Sequence, residues 1–348
     1  MKRFVAIVLG LAVAAAGALA GAWIWAQREL AAPHAFGPPG TERDFEVAAG
    51  ESSRRVLARL EAEGLLRSAL LARVWLSRVE GDPPLRAGLY RFASPVSALA
   101  LLGKLRAGDV LTFQVTLVEG LAYFETADAL AAAGFGRRES FLAEFERGAR
   151  VADLDPAATN LEGYLFPDTY RFPRGTPESA VADALVANFR ARLRREVQPL
   201  RAGGDARPLR ELVILASLVE KEAKLDAERP LVAGVYANRI ARGIGLYADP
   251  TLIYGLKLAG TWDGDLRRRD LEADSPWNTY RVRGLPPGPI CSPGSASLAA
   301  AARPADIPYL YFVSRNDGTH VFSTTLAEHE RNVDRWQRRY FRERRGSK

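Results

Sequence analysis

A single cysteine, Cys291, excludes any internal disulfide framework in this chain. Histidine is nearly as scarce. His34, His320 and His329 show no metal-ligand spacing, so no metal site is expected. The strings G-x-S-x-G and G-x-x-x-x-G-K-[ST] are missing, which removes the nucleophile elbow and the phosphate-cradling loop, and no cofactor is expected. The formal charge of +7 comes mostly from arginine scattered along the chain, apart from a cluster at the C-terminus. No nucleic-acid motif accompanies it, so nucleic acid is not expected as a partner. What the 348 residues do hold is 48% hydrophobic content, enough for two domains with their own cores.

Lys2 and Arg3 precede an uncharged run from Phe4 to Ala26. As a helix this spans roughly 34 Å, enough to cross a bilayer. Trp23 and Trp25 suit an interfacial belt, and the positive residues place the N-terminus in the cytoplasm. Ala18-Leu19-Ala20 would also suit a signal-peptidase site, but the apolar run continues past it, which favours a retained single-pass anchor over a cleaved leader. The expected division is therefore a cytoplasmic tip and membrane helix over 1–27 and a proline-bearing linker over 28–41. A small α/β module over 42–115, a larger α+β domain over 116–334 and a basic tail over 335–348 follow.

Within the small module, Asp44–Val47 reads as a strand, then a glycine turn at Gly50 and an amphipathic helix through Val56, Leu57 and Leu60. A second helix is expected around Leu70–Val79, and Arg86–Phe92 as a returning strand. Ser94-Pro95 reads as a cap and first position opening a further helix. The strand–glycine–helix order recurs from Leu117 through Gly120, Ala127, Leu130 and Gly134. This opening resembles LysM-type modules, small strand–helix–helix–strand folds that bind N-acetylglucosamine-containing glycans. A purely structural spacer is the alternative.

The larger domain is organised around Glu211–Arg229, read as one helix that is apolar all round in its first half and ionic in its second. Its two carboxylates, Glu220 and Glu222, point to nearly opposite faces. Glu220 precedes Lys224 by one turn, the arrangement of a solvated pair. Glu222 instead continues a stripe of Leu215, Leu218, Val219 and Leu225. A carboxylate on an apolar stripe is desolvated, which raises its pKa and suits it to donate a proton near neutral pH.

Several loops dense in glycine, proline and aromatics surround this helix in sequence: Asn160–Tyr170, Leu246–Gly255, Pro276–Tyr280 and Gly284–Ile290. Tyr309–Val313 and Thr319–Ser323 read as a hairpin. Asp249, Thr251, Tyr254, Asn278, Thr279 and Tyr280 offer the hydrogen-bonding groups and flat apolar faces that sugars need, although buried structural tyrosines would look the same.

The ordered set Ala216–Glu222, Asn238-Arg239, Asp249-Pro250-Thr251 with Tyr254, Asn278-Thr279-Tyr280, Gly284–Ile290, Pro293-Gly294 and Tyr309–Val313 resembles the YceG-like family of membrane-anchored endolytic murein transglycosylases. The resemblance runs to about Asp334. Tyr247 and Ser292 depart from it where such proteins usually have Gln and often have Asn. It implies non-hydrolytic cleavage of the β-1,4 bond between N-acetylmuramic acid and N-acetylglucosamine inside peptidoglycan strands, leaving a 1,6-anhydro end. It also implies an inner-membrane location with the catalytic domain outside the cytoplasm, action near peptidoglycan synthases or division proteins, and a role in ending strand elongation. The family's single proton-handling glutamate matches Glu222, which gives a proton to the leaving oxygen and takes one from the C6 hydroxyl. A lysozyme-like hydrolase would need a second carboxylate, for which Asp249, Asp168 and Glu162 are the candidates. A non-catalytic wall-binding scaffold would need neither.

Overall fold

The computed structural model describes residues 2–81, 83–202, 207–340 and 342. It is a mixed helix-and-strand protein of two compact units, residues 1–113 with 171–174, and 114–170 with 175–348.

The first unit begins with α1 (Lys2–Ala31), within which Ile7–Ala31 is long and apolar enough to cross a membrane. Phe4, Ile7, Leu11, Leu19 and Trp25 are all exposed along it. The linker expected from residue 28 starts later. Arg28–Ala31 complete the helix, because Leu30 gains burial in the unit's core, and Pro33–His34 (β1) pairs antiparallel with Val96–Ser97 (β4). Only 32 and 35–41 are irregular.

β2 (Glu42–Val47) pairs antiparallel with β3 (Gly88–Ala93), and between them run α2 (Ser53–Ala62) and α3 (Ala69–Val79). Ser52 and Ser68 cap the two helices by accepting from Arg55 N and Leu71 N. Phe45, Val56, Leu60, Leu76, Tyr90 and Leu101 form the core. α4 (Ala98–Ala107) is capped by Ser97, not Ser94, because Val96 and Ser97 are first taken up by the pairing with β1.

β5 (Thr112–Thr116) pairs with β6 (Thr169–Pro173), both strands falling where the chain divides between the units. The turn–helix–turn order of the first unit returns after β5, with Gly120 and Gly134 flanking α5 (Tyr123–Ala132) at positive φ as Gly50 and Gly64 flank α2. α6 (Arg138–Phe145), α7 (Glu178–Arg192, with a π turn through Val197) and α8 (Gln198–Arg201) lead to α9 (Leu209–Glu222). Leu212–Val219 are all buried. Around α9 pack α10 (Arg229–Ala241), α11 (Asp249–Leu258) and the alanine-rich α13 (Ser295–Ala302), with the short α12 (Arg268–Leu271) preceding α13. Ser217 fastens the proline–glycine loop to α9, giving its hydroxyl proton to Ile214 O and accepting from Ile290 N. The hairpin β7 (Tyr311–Ser314) with β8 (His320–Ser323) is followed by α14 (Leu326–Val333) and a π turn over Asp334–Arg339, the start of the basic tail. The rest of that tail, apart from Tyr340 and Arg342, lies outside the described residues.

The central helix is shorter than its sequence indicated. Ala223 turns extended, so the chain bends there and restarts as α10. Leu225, expected on the apolar stripe, is instead exposed. Nor is Glu220 a solvated partner of Lys224. Its carboxylate is buried, 3.0 Å from Arg229 Nη1, and accepts from Gly294 N at 2.9 Å. Arg229 in turn bonds Ser297 and Asp226, so one ion pair joins α9, α10 and the start of α13.

Candidate active site

The bend at Ala223 leaves Glu222 on the last turn of α9, half-buried. Glu222 lines two clefts. One, of about 400 Å3, is walled by Arg239, Tyr247, Asp249, Tyr280 and Tyr311. The other, of about 500 Å3, carries Lys224, Asn316 and His320. Burial pushes the Glu222 acid up to about 7. The Tyr236 hydroxyl, which donates to Oε1 at 3.1 Å, works against that rise, and the nearby Asp249 charge adds to it. The acid is therefore substantially protonated at neutral pH while opening onto a cleft.

Asp249 stands at the first position of α11 and accepts the Tyr280 hydroxyl proton. Burial and that bond hold the Tyr280 phenol protonated far above its usual range. Tyr280 stacks on Tyr247 with centroids 5.4 Å apart and planes 26° apart. Tyr247 sits at φ 53°, a left-handed conformation that costs a tyrosine about 1–2 kcal/mol and turns its ring over Tyr280. Arg239 is buried behind them, donating to the carbonyls of Gly245, Leu246 and Leu310, with its guanidinium over the rings of Tyr247 and Tyr311. His329 stacks on Tyr311, and burial holds its imidazole below the ordinary value.

The six residues expected to contact sugar separate into two groups. Asp249 and Tyr280 line the cleft with Glu222. Thr251, Asn278 and Thr279 are fully buried behind its wall, and Tyr254 lies to another side. Asn278 holds the loop by donating to Leu271 O and Ala273 O and accepting from Tyr280 N. Thr279 Oγ1 accepts from Ala248 N and shares a hydrogen bond with Thr251. These are the supports of Tyr280 and Asp249 rather than cleft surface.

Of the three candidate second carboxylates, only Asp249 shares a cleft with Glu222. Asp168 is committed to Asn188 and Arg192, which hold its pKa low. Glu162 lines a separate cavity of about 90 Å3 with Arg210, Tyr254 and Trp277. Burial pushes it up to about 8, even though it accepts from Tyr123 N and Tyr254.

Sequence reasoning missed Tyr236, Tyr247 and His329 as site residues and did not separate Arg239 from its motif. No periodicity marks them. Tyr236 reaches Glu222 only because the chain reverses between α9 and α10, and Tyr247 stood out solely as a departure from the family pattern.

The fold and site define an α+β protein in which a carboxylic acid with a raised pKa opens onto a tyrosine-walled cleft. The chain belongs to the YceG-like family, which it matches over residues 45–335. It is 29% identical over 312 residues to the endolytic murein transglycosylase of Bacillus subtilis (strain 168), covering 85% of both chains. It is 26% identical to the endolytic murein transglycosylase of Streptococcus pneumoniae serotype 2 (strain D39 / NCTC 7466), covering 82% of this chain and 57% of that longer protein. Among solved structures it is similar to the yceG-like protein lmo1499 of Listeria monocytogenes, with a TM-score of 0.56, 27% identity, and coverage of 84% of this chain and 99% of that one.

Proposed function

We propose that this chain is an endolytic peptidoglycan lytic transglycosylase with Glu222 as its catalytic acid. The observation that carries the reading is the half-buried Glu222 carboxyl, its pKa raised to about 7, lining two clefts. A glycan strand laid along both clefts places a glycosidic oxygen at that carboxyl. Glu222 gives it a proton as the bond from C1 to O4 breaks, and the muramoyl O6 closes on C1. The proton lost from O6 balances the one that Glu222 gave, so no water is consumed. An intramolecular hydroxyl has a high effective molarity, which explains why one protein carboxylate suffices where most glycosidases use two. Tyr247 and Tyr280 give flat faces for sugar rings, with Asp249 as a hydrogen-bond acceptor beside them.

Thr251, Asn278 and Thr279 serve binding through the loop they hold, and Tyr254 supports α11. The strand–helix–helix–strand part of the first unit, residues 42–115, is a LysM-like module that steadies the strand, and 116–334 is the catalytic domain. Residues 1–27 are a single-pass inner-membrane anchor with the N-terminus in the cytoplasm. They hold the enzyme close to newly made glycan, peptidoglycan synthases and division proteins.

Mass spectrometry of fragments released from purified peptidoglycan, before and after borohydride, tests the reading. Anhydro ends, which borohydride leaves unchanged, are expected from the native protein and not from Glu222→Gln. One observation favours a hydrolase instead: Asp249 lies on the same cleft as Glu222. Reducible ends, abolished by Asp249→Asn, would establish that reading and sink the transglycosylase.

A further inference from the structure

The cleft that Glu222 shares with Asp249 has a neighbour which the reaction leaves unused. This side cleft holds about 250 Å3, and Glu125, Lys221, Pro250, Ile253, Lys257 and Ile290 are among the residues that line it. Lys221 adjoins Glu222 on α9, and Pro250 adjoins Asp249 on α11. Consecutive Cα atoms are only about 3.8 Å apart, so the two clefts lie within a residue's width of each other on both helices. Successive side chains on a helix differ in direction by about 100°, which is why Lys221 lines one cleft and Glu222 the other.

Two lysines and one glutamate share the side cleft with the apolar surfaces of Pro250, Ile253 and Ile290, and the charges do not cancel. Glu125 is already engaged: Oε1 lies 2.5 Å from Lys257 Nζ, and Oε2 accepts from Ala122 N at 2.9 Å. Lys221 is exposed and donates to Gly120 O at 3.0 Å, a neutral partner. It forms no ion pair among the described residues. The complement of such a cleft is an anion carried on a partly apolar arm. Of the two sugars in a peptidoglycan strand only muramic acid bears one, since its lactyl group carries a peptide with alanyl methyls and free carboxylates. We infer that the side cleft binds this peptide stem, a role that rests on the transglycosylase reading of the Glu222 site. The stem's carboxylates meet Lys221 and Lys257, and its methyl groups lie on Ile253 and Ile290. The same contact sets the strand in register, because the glucosamine on either side has no peptide to offer.

The experiment measures kcat/KM of the full chain on three preparations of the same uncross-linked glycan strands. One keeps its peptides, one has their carboxylates converted to amides, and one is stripped by an amidase that cuts at the lactyl group. Stripping leaves the lactyl carboxylate on the sugar, so a difference reads the peptide rather than the mere presence of a negative charge. The native protein should favour the peptide-bearing strands about tenfold over either of the others. Replacing both lysines, Lys221→Met with Lys257→Met, should bring that ratio close to one, and Lys221→Arg alone should keep it. Both rates come from one protein, so a partly unfolded variant, or one with altered Glu222 acidity, loses both together and leaves the ratio where it was. A native protein that cleaves all three preparations alike overturns the assignment, as does a double variant that keeps the tenfold preference. Amidated strands cleaved as fast as acidic ones, with stripped strands slow, would also overturn it, since the lysines would have no anion to read. The parent reading fails differently: native protein yielding reducible ends, or Glu222→Gln retaining full activity, would sink the transglycosylase whatever the ratio.

Discussion

Glu222 shows how a common side chain becomes an acid. Its burial raises the pKa and the Tyr236 hydroxyl restrains the rise, so the working value is a balance of two opposed effects. Removing the restraint should therefore shift activity rather than abolish it. In Tyr236→Phe the carboxylate loses its donor, Glu222 ionises at higher pH, and the alkaline limb of kcat/KM moves upward. A limb that stays put or moves down would mean that Tyr236 does not set the acidity of Glu222. Tyr247 offers a second test at this scale. Tyr247→Gly relieves a left-handed tyrosine worth about 1–2 kcal/mol but loses the stack on Tyr280, worth about 1 kcal/mol, and adds chain entropy to the unfolded state. The midpoint of unfolding should hardly move while KM for glycan rises several-fold. A clear loss of stability with KM unchanged would make the ring structural.

At the scale of elements, α9, α10 and the start of α13 are held by packing and by one buried ion pair. Arg229→Ala would leave the Glu220 carboxylate buried with only the Gly294 N–H, a loss on the order of 3–5 kcal/mol. Asp226→Ala breaks the same arginine's exposed pair and should cost under about 1 kcal/mol. Denaturant unfolding of the two variants checks the contrast, and equal losses would refute it. This network also marks where the sequence stopped being readable. The strands and helices of the first unit stood close to their patterns because each is a short amphipathic segment bounded by serine caps and glycine turns. The burial of Glu220 was invisible, since its partner Arg229 lies beyond a helix break at Ala223, and Pro230 marks only the start of the next helix. The same break moved Leu225 out to solvent. The apolar stripe singled out Glu222 and the loops Asp249 and Tyr280, and the structure places the three on one cleft. Thr251, Asn278 and Thr279 have the composition of a sugar site, yet composition cannot distinguish a cleft surface from the hydrogen-bonded scaffold behind it.

For the whole molecule the buried acids set a pH dependence of stability whose sign can be worked out. Glu222 and Glu162 titrate near 7 and 8 when folded, against an ordinary value of 4.5. The folded state thus holds their protons more tightly than the unfolded chain. Their contribution is intact below about pH 4.5 and is lost as pH rises through 7 to 8. Glu196, Glu125 and Asp168 act in the opposite sense. Hydrogen bonds and cation partners hold their values low, Glu196 at about 2, so their contribution is present above pH 4.5 and lost in acid. The thermal midpoint should therefore peak near pH 5, on the acid side of the working pH, and decline steadily to pH 8. Replacing Glu162 by Gln removes the group with the larger rise but keeps an oxygen for Tyr123 N. That variant should flatten the alkaline decline and melt higher than the native chain at pH 8, while activity keeps the pH limb set by Glu222. A native protein whose midpoint rises from pH 5 to 8, or a Glu162→Gln variant that melts lower at pH 8, would mean that Glu162 is held as a carboxylate. The small cavity it lines would then have to carry a buried charge, and Arg210 on the same wall would be its counter-ion.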